Sequence, residues 1–277
     1  MQPAAFIDTF PPAAVYWNKE EKRSISIMAQ PVLVKNLAIG DGHPKIAVPL
    51  TAPTLSALED ALETLEKSPC DMVEWRADCY DSIREPGSWR SPLALFQKRI
   101  PHLPLLFTVR TTAEGGMLEI STDDYVALLE EVIANGPLDL IDVELSRGFQ
   151  VMEHLVAQAH DSGIKVVGSF HNFQKTPSRE ELVRTLCTMQ ELGCDLAKAA
   201  VMPRTEKDVL TLLEATLEMK EEHPRTPVIT MSMGAMGAIT RIGGGRFGSA
   251  VTFGTAGPAS APGQLPAELL KRLFPLI

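Results

Sequence analysis

Eight short apolar segments recur along the chain from residue 45 onward, each separated from the next by a longer amphipathic stretch. Short apolar runs bounded by turn residues are typical of buried strands, and amphipathic stretches of this length are typical of helices. Strand–helix pairs repeating at roughly 22 to 35 residues predict an α/β fold with a parallel sheet. Because there are eight of them, the sequence predicts a (β/α)8 (TIM) barrel. The predicted strands span residues 46–50, 72–77, 105–110, 138–145, 164–170, 196–201, 228–233 and 250–254.

The start signals of the intervening helices fit this arrangement. Residues 56–59 and 178–181 each follow the capping-box pattern, in which a serine precedes a glutamate by three positions. Residues 205–208 predict the start of a further helix. Pro266 suits the first turn of a last helix over residues 267–274.

The competing fold is an open doubly wound sheet, whose first strand is usually followed by a G-x-G-x-x-G turn. The sequence after the first predicted strand reads Thr-Ala-Pro-Thr over residues 51–54, which favours the barrel. Ahead of that strand, residues 32–39 predict a small hairpin, with residues 40–42 as turn. Such a hairpin would close the bottom of the barrel.

Composition limits the classes of partner. The net charge of −9 and the pI near 5.2 argue against a nucleic-acid-binding protein, which would carry a basic face. No run approaches the ~20 apolar residues of a membrane span, so we expect no membrane partner. The four cysteines form no C-x-x-C pair, which favours reduced thiols in a cytoplasmic protein. Residues 1–27 predict a disordered extension or an artefact, with Met28 as natural start and residues 28–277 as one catalytic domain.

Ionisable side chains collect at the carboxyl ends of the predicted strands, where a barrel carries its catalytic groups. Alternation along a strand places Glu74 and Arg76 on one face, and it does the same for Asp142 and Glu144. Each also has a structural explanation, because barrel interiors hold salt bridges and a lone histidine is often structural. Their convergence on one rim favours a functional site, since burying charge is costly. The other members are Arg110, Glu114, His171, Lys198 and Arg241.

Lys198 stands alone in the apolar run Leu196–Val201. A lysine in such a run can extend its ammonium to solvent, or it can react. Burial and neighbouring arginine cations disfavour the charged form, and a neutral amine attacks a carbonyl to give a Schiff base. His171, one strand away, suits a general acid and base, and Glu114 would fix its tautomer. The residues therefore indicate a Schiff-base lyase.

Three arginines indicate an anionic substrate, most simply a carboxylate held by a guanidinium fork. They are Arg76, Arg110 and Arg241. The glycine-rich residues 243–248 follow the seventh predicted strand, where barrels often bind phosphate, although such turns are also ordinary connectors. A glycine- and proline-rich loop over residues 255–264 follows the eighth strand, and Ser260 and Gln264 in it would close over substrate as a lid.

Five segments form an ordered set of motifs along the chain. They are residues 74–78 (E-x-R-x-D), 108–114 (T-x-R-x-x-x-E), 169–173 (S-x-H-[DN]-F), 195–198 around the lysine, and 231–241. Together with Ser260 and Gln264 in the last loop, this set resembles the type I 3-dehydroquinase family of the shikimate pathway. The resemblance runs from about residue 28 to the last residue.

The resemblance implies a hydro-lyase that converts 3-dehydroquinate to 3-dehydroshikimate by syn elimination. Lys198 would form an imine with the C3 ketone, and His171, with Glu114 as its partner, would move protons between C2 and the hydroxyl at C1. The implied substrate-binding residues are Glu74, Arg76 and Arg110 for hydroxyls and the carbonyl region, and Arg241, Ser260 and Gln264 for the carboxylate. The resemblance also implies no metal or organic cofactor and a homodimer.

Three alternatives stay open at this point. A class I aldolase-type lyase would use the same lysine for carbon–carbon cleavage and would hold a phosphate at residues 243–245. A metal-assisted hydrolase would use Glu74, Glu144 and His171, but no H-x-H or H-E-x-x-H pattern supports it. A barrel that has lost catalysis would serve only for binding, yet it would retain a lysine, a histidine and three arginines on one rim.

Overall fold

The computed structural model describes residues 29–257 and 259–277. The predicted extension over residues 1–27 and the predicted start at Met28 lie outside the described residues. All eight predicted barrel strands occur, with ends within two residues of those expected. After the hairpin strands β1 (Val32–Val34) and β2 (Leu37–Ile39), the barrel strands are β3 (Lys45–Leu50), β4 (Met72–Arg76), β5 (Leu105–Thr108), β6 (Leu140–Glu144), β7 (Lys165–Asn172), β8 (Leu196–Val201), β9 (Val228–Ser232) and β10 (Val251–Thr255).

The barrel strands form one closed parallel sheet. Each pairs with the next along the chain from β3 to β9, and β10 pairs with β3. Between β9 and β10 the ring closes at a parallel bridge of Val228 with Ser249, where the Ala250 N–H donates to the Val228 carbonyl at 2.8 Å. A short strand, β11 (Leu265–Pro266), pairs in parallel with β10. The predicted (β/α)8 barrel is confirmed.

Helices occupy the connections between the strands. The capping box at Ser178 is confirmed, and so is the helix start at residues 205–208, where Thr205 forms a capping box as well. The box at residues 56–59 is wrong, because the Thr54 hydroxyl accepts the Ala57 N–H and starts the helix earlier. Among the described residues, no helix combines the length and the apolar character needed to cross a membrane. The helices are α1 (Leu55–Leu65), α2 (Arg90–Arg99), α3 (Thr122–Asn135), α4 (Phe149–Asp161), α5 (Arg179–Glu191), α6 (Glu206–Glu222), α7 (Ala238–Phe247) and α8 (Ala267–Leu273).

The hairpin closes the bottom of the barrel, as expected. Its Val34 and Ile39 join the apolar cluster that fills the barrel interior where β4, β6 and β8 begin. Ile39 is fully buried, and truncation of such a side chain to alanine typically costs about 2–5 kcal/mol. The turn was predicted wrongly: it lies at residues 35–36, where Lys35 adopts φ 52°, and residues 40–42 instead lead into β3.

The glycine-rich residues 243–248 form the end of α7 and its C-cap rather than a loop. They lie near the start of β3, where a Cβ on Gly245 would stand 2.3 Å from Pro44 Cγ. Glycine is therefore needed for close packing at the bottom of the barrel, on the side opposite to the strand ends. The predicted phosphate-binding loop is wrong.

Candidate active site

A cavity of about 240 Å³ opens at the carboxyl ends of the barrel strands. The strands β4, β7 and β8, the segment after β5, helix α7 and the loop after β10 all contribute to its wall. Nine of the side chains proposed from the sequence line this cavity, whereas Asp142 and Glu144, named with them, do not. The nine are Glu74, Arg76, Arg110, Glu114, His171, Lys198, Arg241, Ser260 and Gln264.

Lys198 occupies a fully buried strand, and its own side chain is only 5% exposed. It therefore does not extend to solvent. Its Nζ lies 4.3 Å from the centroid of the Phe253 ring, 3.6 Å from Glu74 Oε1 and 3.7 Å from Asp142 Oδ2. Two carboxylates and an aromatic face, rather than the expected arginine cations, thus contact the amine, and all three favour a positive charge at this nitrogen.

His171 and Glu114 form a direct pair, with Nδ1 of the imidazole 2.8 Å from the carboxylate Oε2. β7 continues to Asn172 and carries His171 to the rim. Glu114 follows β5 in a short turn that ends at Gly115, whose φ of 79° lies in the left-handed region. A Cβ on Gly116 would stand 1.9 Å from the Arg110 carbonyl oxygen, so only glycine lets the chain curl back and aim Glu114 inward.

The pKa values of both members of this pair differ from those of the free side chains. Burial, together with the negative charge of Glu144, raises the pKa of Glu114 to about 8. Burial and the cations of Arg110 and Lys198 hold the pKa of His171 well below its usual 6.5. Near neutral pH the carboxyl proton of Glu114 is therefore shared with Nδ1, and the neutral ring carries its own proton on Nε2. When Glu114 loses its proton, Nδ1–H donates to the carboxylate, and Nε2 is left unprotonated and available to act as a base.

Arg110 lies at the centre of a buried ion-pair network. Its Nη1 lies 2.9 Å from Glu144 Oε1 and 3.2 Å from Glu114 Oε2, and its Nη2 lies 2.8 Å from Asp142 Oδ2. Burial opposes the charge of Arg110, but the surrounding carboxylates outweigh it and raise its pKa well above that of a free guanidinium. Arg110 is consequently a fixed counter-ion for the acidic side of the cavity as well as part of its wall.

Arg76 is held by a partner of its own. Its Nε and Nη2 donate to the two carboxylate oxygens of Asp78, each at 2.8 Å. Asp78 also accepts the backbone N–H groups of Arg110 and Met117 at 3.1 Å. This aspartate therefore joins the end of β4 to the turn that carries Glu114, and it leaves Nη1 of Arg76 for a ligand.

Arg241 differs from the other two arginines because no carboxylate in the described residues pairs with it. Its side chain is buried in α7 and donates to the carbonyls of Phe253 and Pro262, at 3.3 and 3.2 Å, and weakly to Met231 Sδ at 3.9 Å, while Nε has no partner among the described residues. Burial alone lowers the pKa of Arg241 to about 10. An uncompensated buried guanidinium facing a cavity is a binding site for an anion.

The loop after β10 covers this end of the cavity. Gln264 Oε1 accepts the backbone N–H of Ser260 at 2.8 Å, and Gln264 Nε2 donates to the Ser260 hydroxyl at 3.0 Å. The Gly234 N–H donates to the Pro262 carbonyl at 3.1 Å and ties the loop to the segment after β9. Both proposed lid residues are thus placed over the cavity by the loop itself.

Sequence reasoning did not single out the apolar part of the wall. The side chains of Phe173, Met231, Met233 and Phe253 line the cavity alongside the charged groups. Alternation along β9 would have placed Met231 and Met233 on one face, but apolar side chains in a strand are more often core than site. The contact of Phe253 with Lys198 joins two strands far apart in the sequence and left no local signal.

Comparison with known proteins gives a consistent result. The family model described as type I 3-dehydroquinase matches residues 46–277. The 3-dehydroquinate dehydratase of Clostridium kluyveri is 43% identical over 251 residues, which cover 90% of this chain and 98% of that protein.

Solved structures agree. A crystal structure of the type I 3-dehydroquinate dehydratase from Clostridium difficile, with covalently modified comenic acid, is similar with a TM-score of 0.87 and 45% identity. The similarity covers 90% of this chain and 98% of that one. The 3-dehydroquinate dehydratase from Enterococcus faecalis is similar with a TM-score of 0.82 and 42% identity, covering 89% and 99% of the two chains.

Proposed function

The chain belongs to the type I 3-dehydroquinase family, and we propose that the cavity described above is where it carries out the reaction of that family. The enzyme is a hydro-lyase that removes water from 3-dehydroquinate to give 3-dehydroshikimate in aromatic amino acid biosynthesis. The main observation in support of this site is that a buried lysine and a histidine–carboxylate pair line the same covered cavity.

Lys198 is the nucleophile in this proposal. Its neutral amine attacks the C3 ketone, and the ketone oxygen leaves as water to give a positively charged imine. The ammonium proton must first be released, and the site has acceptors in the two carboxylates at 3.6 and 3.7 Å and in His171. The positive imine then withdraws electrons from the adjacent C2, so no metal or organic cofactor is needed.

His171 moves the protons. Its Nε2 takes a proton from C2, and the resulting enamine expels the hydroxyl at C1, which leaves as water after accepting a proton from the same nitrogen. One residue doing both tasks requires the two groups on one face of the ring, which makes the elimination syn. Water then hydrolyses the imine and releases 3-dehydroshikimate, so one molecule of water is lost over the cycle.

The substrate-binding side chains form two groups, one for the substrate carboxylate and one for its hydroxyls and carbonyl region. Arg241 supplies the guanidinium for the substrate carboxylate, because it is the arginine of this cavity that lacks a carboxylate partner among the described residues. Ser260 and Gln264 complete that end from the lid. The hydroxyls and the carbonyl region fall to Glu74, Arg76 and Arg110.

We further propose a cytoplasmic homodimer whose subunits each form one catalytic domain over residues 28–277. The match to nearly the full length of relatives supports the domain assignment. All four cysteines are unpaired, as expected of a reducing compartment. The homodimer rests on the family resemblance, and light scattering coupled to gel filtration tests it: a mass of one chain would reject it.

Borohydride trapping tests the assignment of the site. Borohydride reduces imines, so protein mixed with 3-dehydroquinate and borohydride is expected to gain the mass of a reduced adduct on the peptide that carries Lys198. Lys198→Met should gain none, whereas Lys175→Met, which alters an exposed lysine outside the cavity, should label as the wild type does. Folded wild-type protein without an adduct would reject the Schiff-base mechanism.

His171→Ala separates imine formation from elimination. The variant should still give the trapped adduct but lose most of its turnover, because the amine is intact and the base is gone. Turnover close to that of the wild type would reject the role of His171. Carbon–carbon cleavage of a phosphorylated sugar, without dehydration of 3-dehydroquinate, would favour the aldolase alternative instead.

A further inference from the structure

Asp142 lies on β6 with its side chain fully buried, and it is not part of the cavity wall. Its Oδ1 accepts a hydrogen bond from the Ser169 hydroxyl at 2.6 Å. Its Oδ2 lies 2.8 Å from Arg110 Nη2 and 3.7 Å from Lys198 Nζ, and it accepts no hydrogen bond from the described residues. One oxygen is thus fixed, and the other faces two cations.

Glu74 is the second carboxylate near the amine, at 3.6 Å, but its surroundings differ. Its Oε1 accepts a hydrogen bond from the Thr108 hydroxyl at 3.0 Å, and the side chain lines the cavity. A bound substrate therefore competes for the charge of Glu74. Asp142 does not line the cavity, so a bound substrate does not compete for its charge, which faces Lys198 and Arg110.

We propose that Asp142 is a positioning residue that keeps the imine on Lys198 protonated while the substrate loses its C2 proton. The inference rests on the Schiff-base mechanism proposed above. An imine withdraws electrons effectively only while its nitrogen is positively charged, and a buried anion about 4 Å away favours that charge. Asp142 forms and breaks no bond itself, and it acts through the nitrogen of Lys198.

Other ionisable groups face the same point from the neighbouring elements. Glu114 lies next to Arg110, and burial keeps it partly protonated with a pKa of about 8. Burial also raises the pKa of Tyr125 well above 10 and that of Cys194 to about 12, so both stay neutral at working pH. The remaining groups are Glu74 on β4, Arg110 after β5, Glu144 on β6 and His171 on β7.

Asp142→Asn keeps the shape of the side chain and an acceptor for Ser169, but it removes the charge. Two effects of opposite sign are expected. The free amine loses its proton more readily, so borohydride trapping at pH 7 becomes faster. The imine also loses its proton more readily, so the alkaline limb of the kcat profile moves down by about 1–2 pH units, while KM changes little. A merely structural role would slow both steps together.

Ser169→Ala is the matched control, because it removes the hydrogen bond to Asp142 but keeps the carboxylate charge. Its alkaline limb should stay at the position of the wild type. Glu74→Gln should act mainly on KM, since Glu74 faces the substrate. If the alkaline limb of the kcat profile moves equally in Asp142→Asn and Ser169→Ala, or moves in neither variant, the proposed role of Asp142 is overturned.

The failures of the two proposals are distinguishable. Wild-type protein without a trapped adduct rejects the Schiff-base mechanism itself, whereas normal trapping with an unmoved limb in Asp142→Asn rejects only the role of Asp142. If Asp142→Asn does not fold, His171→Ala provides a second test because it accumulates the imine. The ¹³C chemical shift of substrate labelled at C3 should then report a protonated imine up to about pH 9. A neutral imine at pH 7 overturns the proposal.

Discussion

Arg241→Met should lose substrate binding without the loss of stability that normally follows the removal of a buried charged residue. Arg241 is 2% exposed and donates to two backbone carbonyls and, weakly, to the Met231 thioether, none of which carries a charge. Breaking a buried ion pair typically costs about 3–5 kcal/mol, because the partner charge is left uncompensated. Arg241 leaves no such charge behind. Methionine fills much of the same volume without carrying a charge.

The expected change in the free energy of unfolding follows from the pKa of Arg241. Burial lowers the pKa of Arg241 from 12.5 to about 10, and each pKa unit corresponds to about 1.4 kcal/mol. The charged form is thus disfavoured by about 3 kcal/mol at any pH below 10, and methionine removes that cost. Two long hydrogen bonds to carbonyls are lost at about 1 kcal/mol each. The expected free energy of unfolding is unchanged or higher by about 1 kcal/mol.

The assay is urea unfolding of the unliganded protein, with Arg110→Met as the matched control. Arg110 is equally buried, at 3% exposure, but it neutralises Asp142, Glu144 and Glu114. Its removal should lower the free energy of unfolding by about 3–5 kcal/mol. The product 3-dehydroshikimate at 100 times its Kd should stabilise the wild type by about 2.7 kcal/mol, and at the same concentration it should not stabilise Arg241→Met.

Equal losses of stability in the two variants would refute this reasoning, because they would mean that the charge of Arg241 is compensated in the free enzyme. Stabilisation of Arg241→Met by the product, at the concentration that stabilises the wild type, would refute its role as the carboxylate site. The kinetic expectation is a fall in kcat/KM of about 100-fold, which corresponds to the loss of a charge-assisted bond of nearly 3 kcal/mol.

Two further predictions concern the histidine pair and the lid. Folding raises the pKa of Glu114 from 4.5 to about 8. Between these two pH values the folded protein keeps a proton that the unfolded chain has released. The free energy of unfolding should therefore fall as the pH rises from 4.5 to about 8. Glu114→Gln should flatten that fall in urea titrations and remove the limb near pH 8 from the kcat/KM profile; an unchanged profile would contradict it. Gly263→Ala should raise KM at least tenfold with little change in stability. Gly263 has a φ of +77°, and a Cβ there would stand 2.2 Å from the Gly234 carbonyl oxygen, so the substitution pushes the lid away. A KM equal to that of the wild type in steady-state kinetics would contradict this prediction.

The barrel could be predicted because each of its signals is local. Eight apolar runs with helical stretches between them leave few alternatives, and the caps at Ser178 and Thr205 are read within four residues. The errors fell where the outcome depends on distant packing. The glycines at residues 243–248 look like a loop until the contact of Gly245 with Pro44 shows that they allow α7 to approach the start of β3.

The site shows the same division. Strand alternation and the rule that barrel chemistry lies at the carboxyl ends predicted nine side chains that line one cavity, although Asp142 and Glu144, predicted with them, do not line it. The pairing of charges was not predictable, because it depends on which side chains of non-adjacent strands meet. Arg110 and Arg241 look equivalent in the sequence, yet one contacts three carboxylates and the other, within the described part of the chain, contacts none.

That asymmetry explains how one small cavity can bind an anion and also move a proton. Around Arg110 and Lys198 the carboxylates are so crowded that Glu114 retains a proton, which supplies the His171 pair with a proton to share. Around Arg241 there is a positive charge that no carboxylate of the described residues neutralises, which leaves it for a ligand. The carboxylate at one end of the substrate compensates the positive charge of Arg241, and the ketone at the other end reacts where Lys198 and the carboxylates meet. The charge pattern therefore fixes the direction in which the substrate lies, with its carboxylate toward α7 and its ketone toward β8.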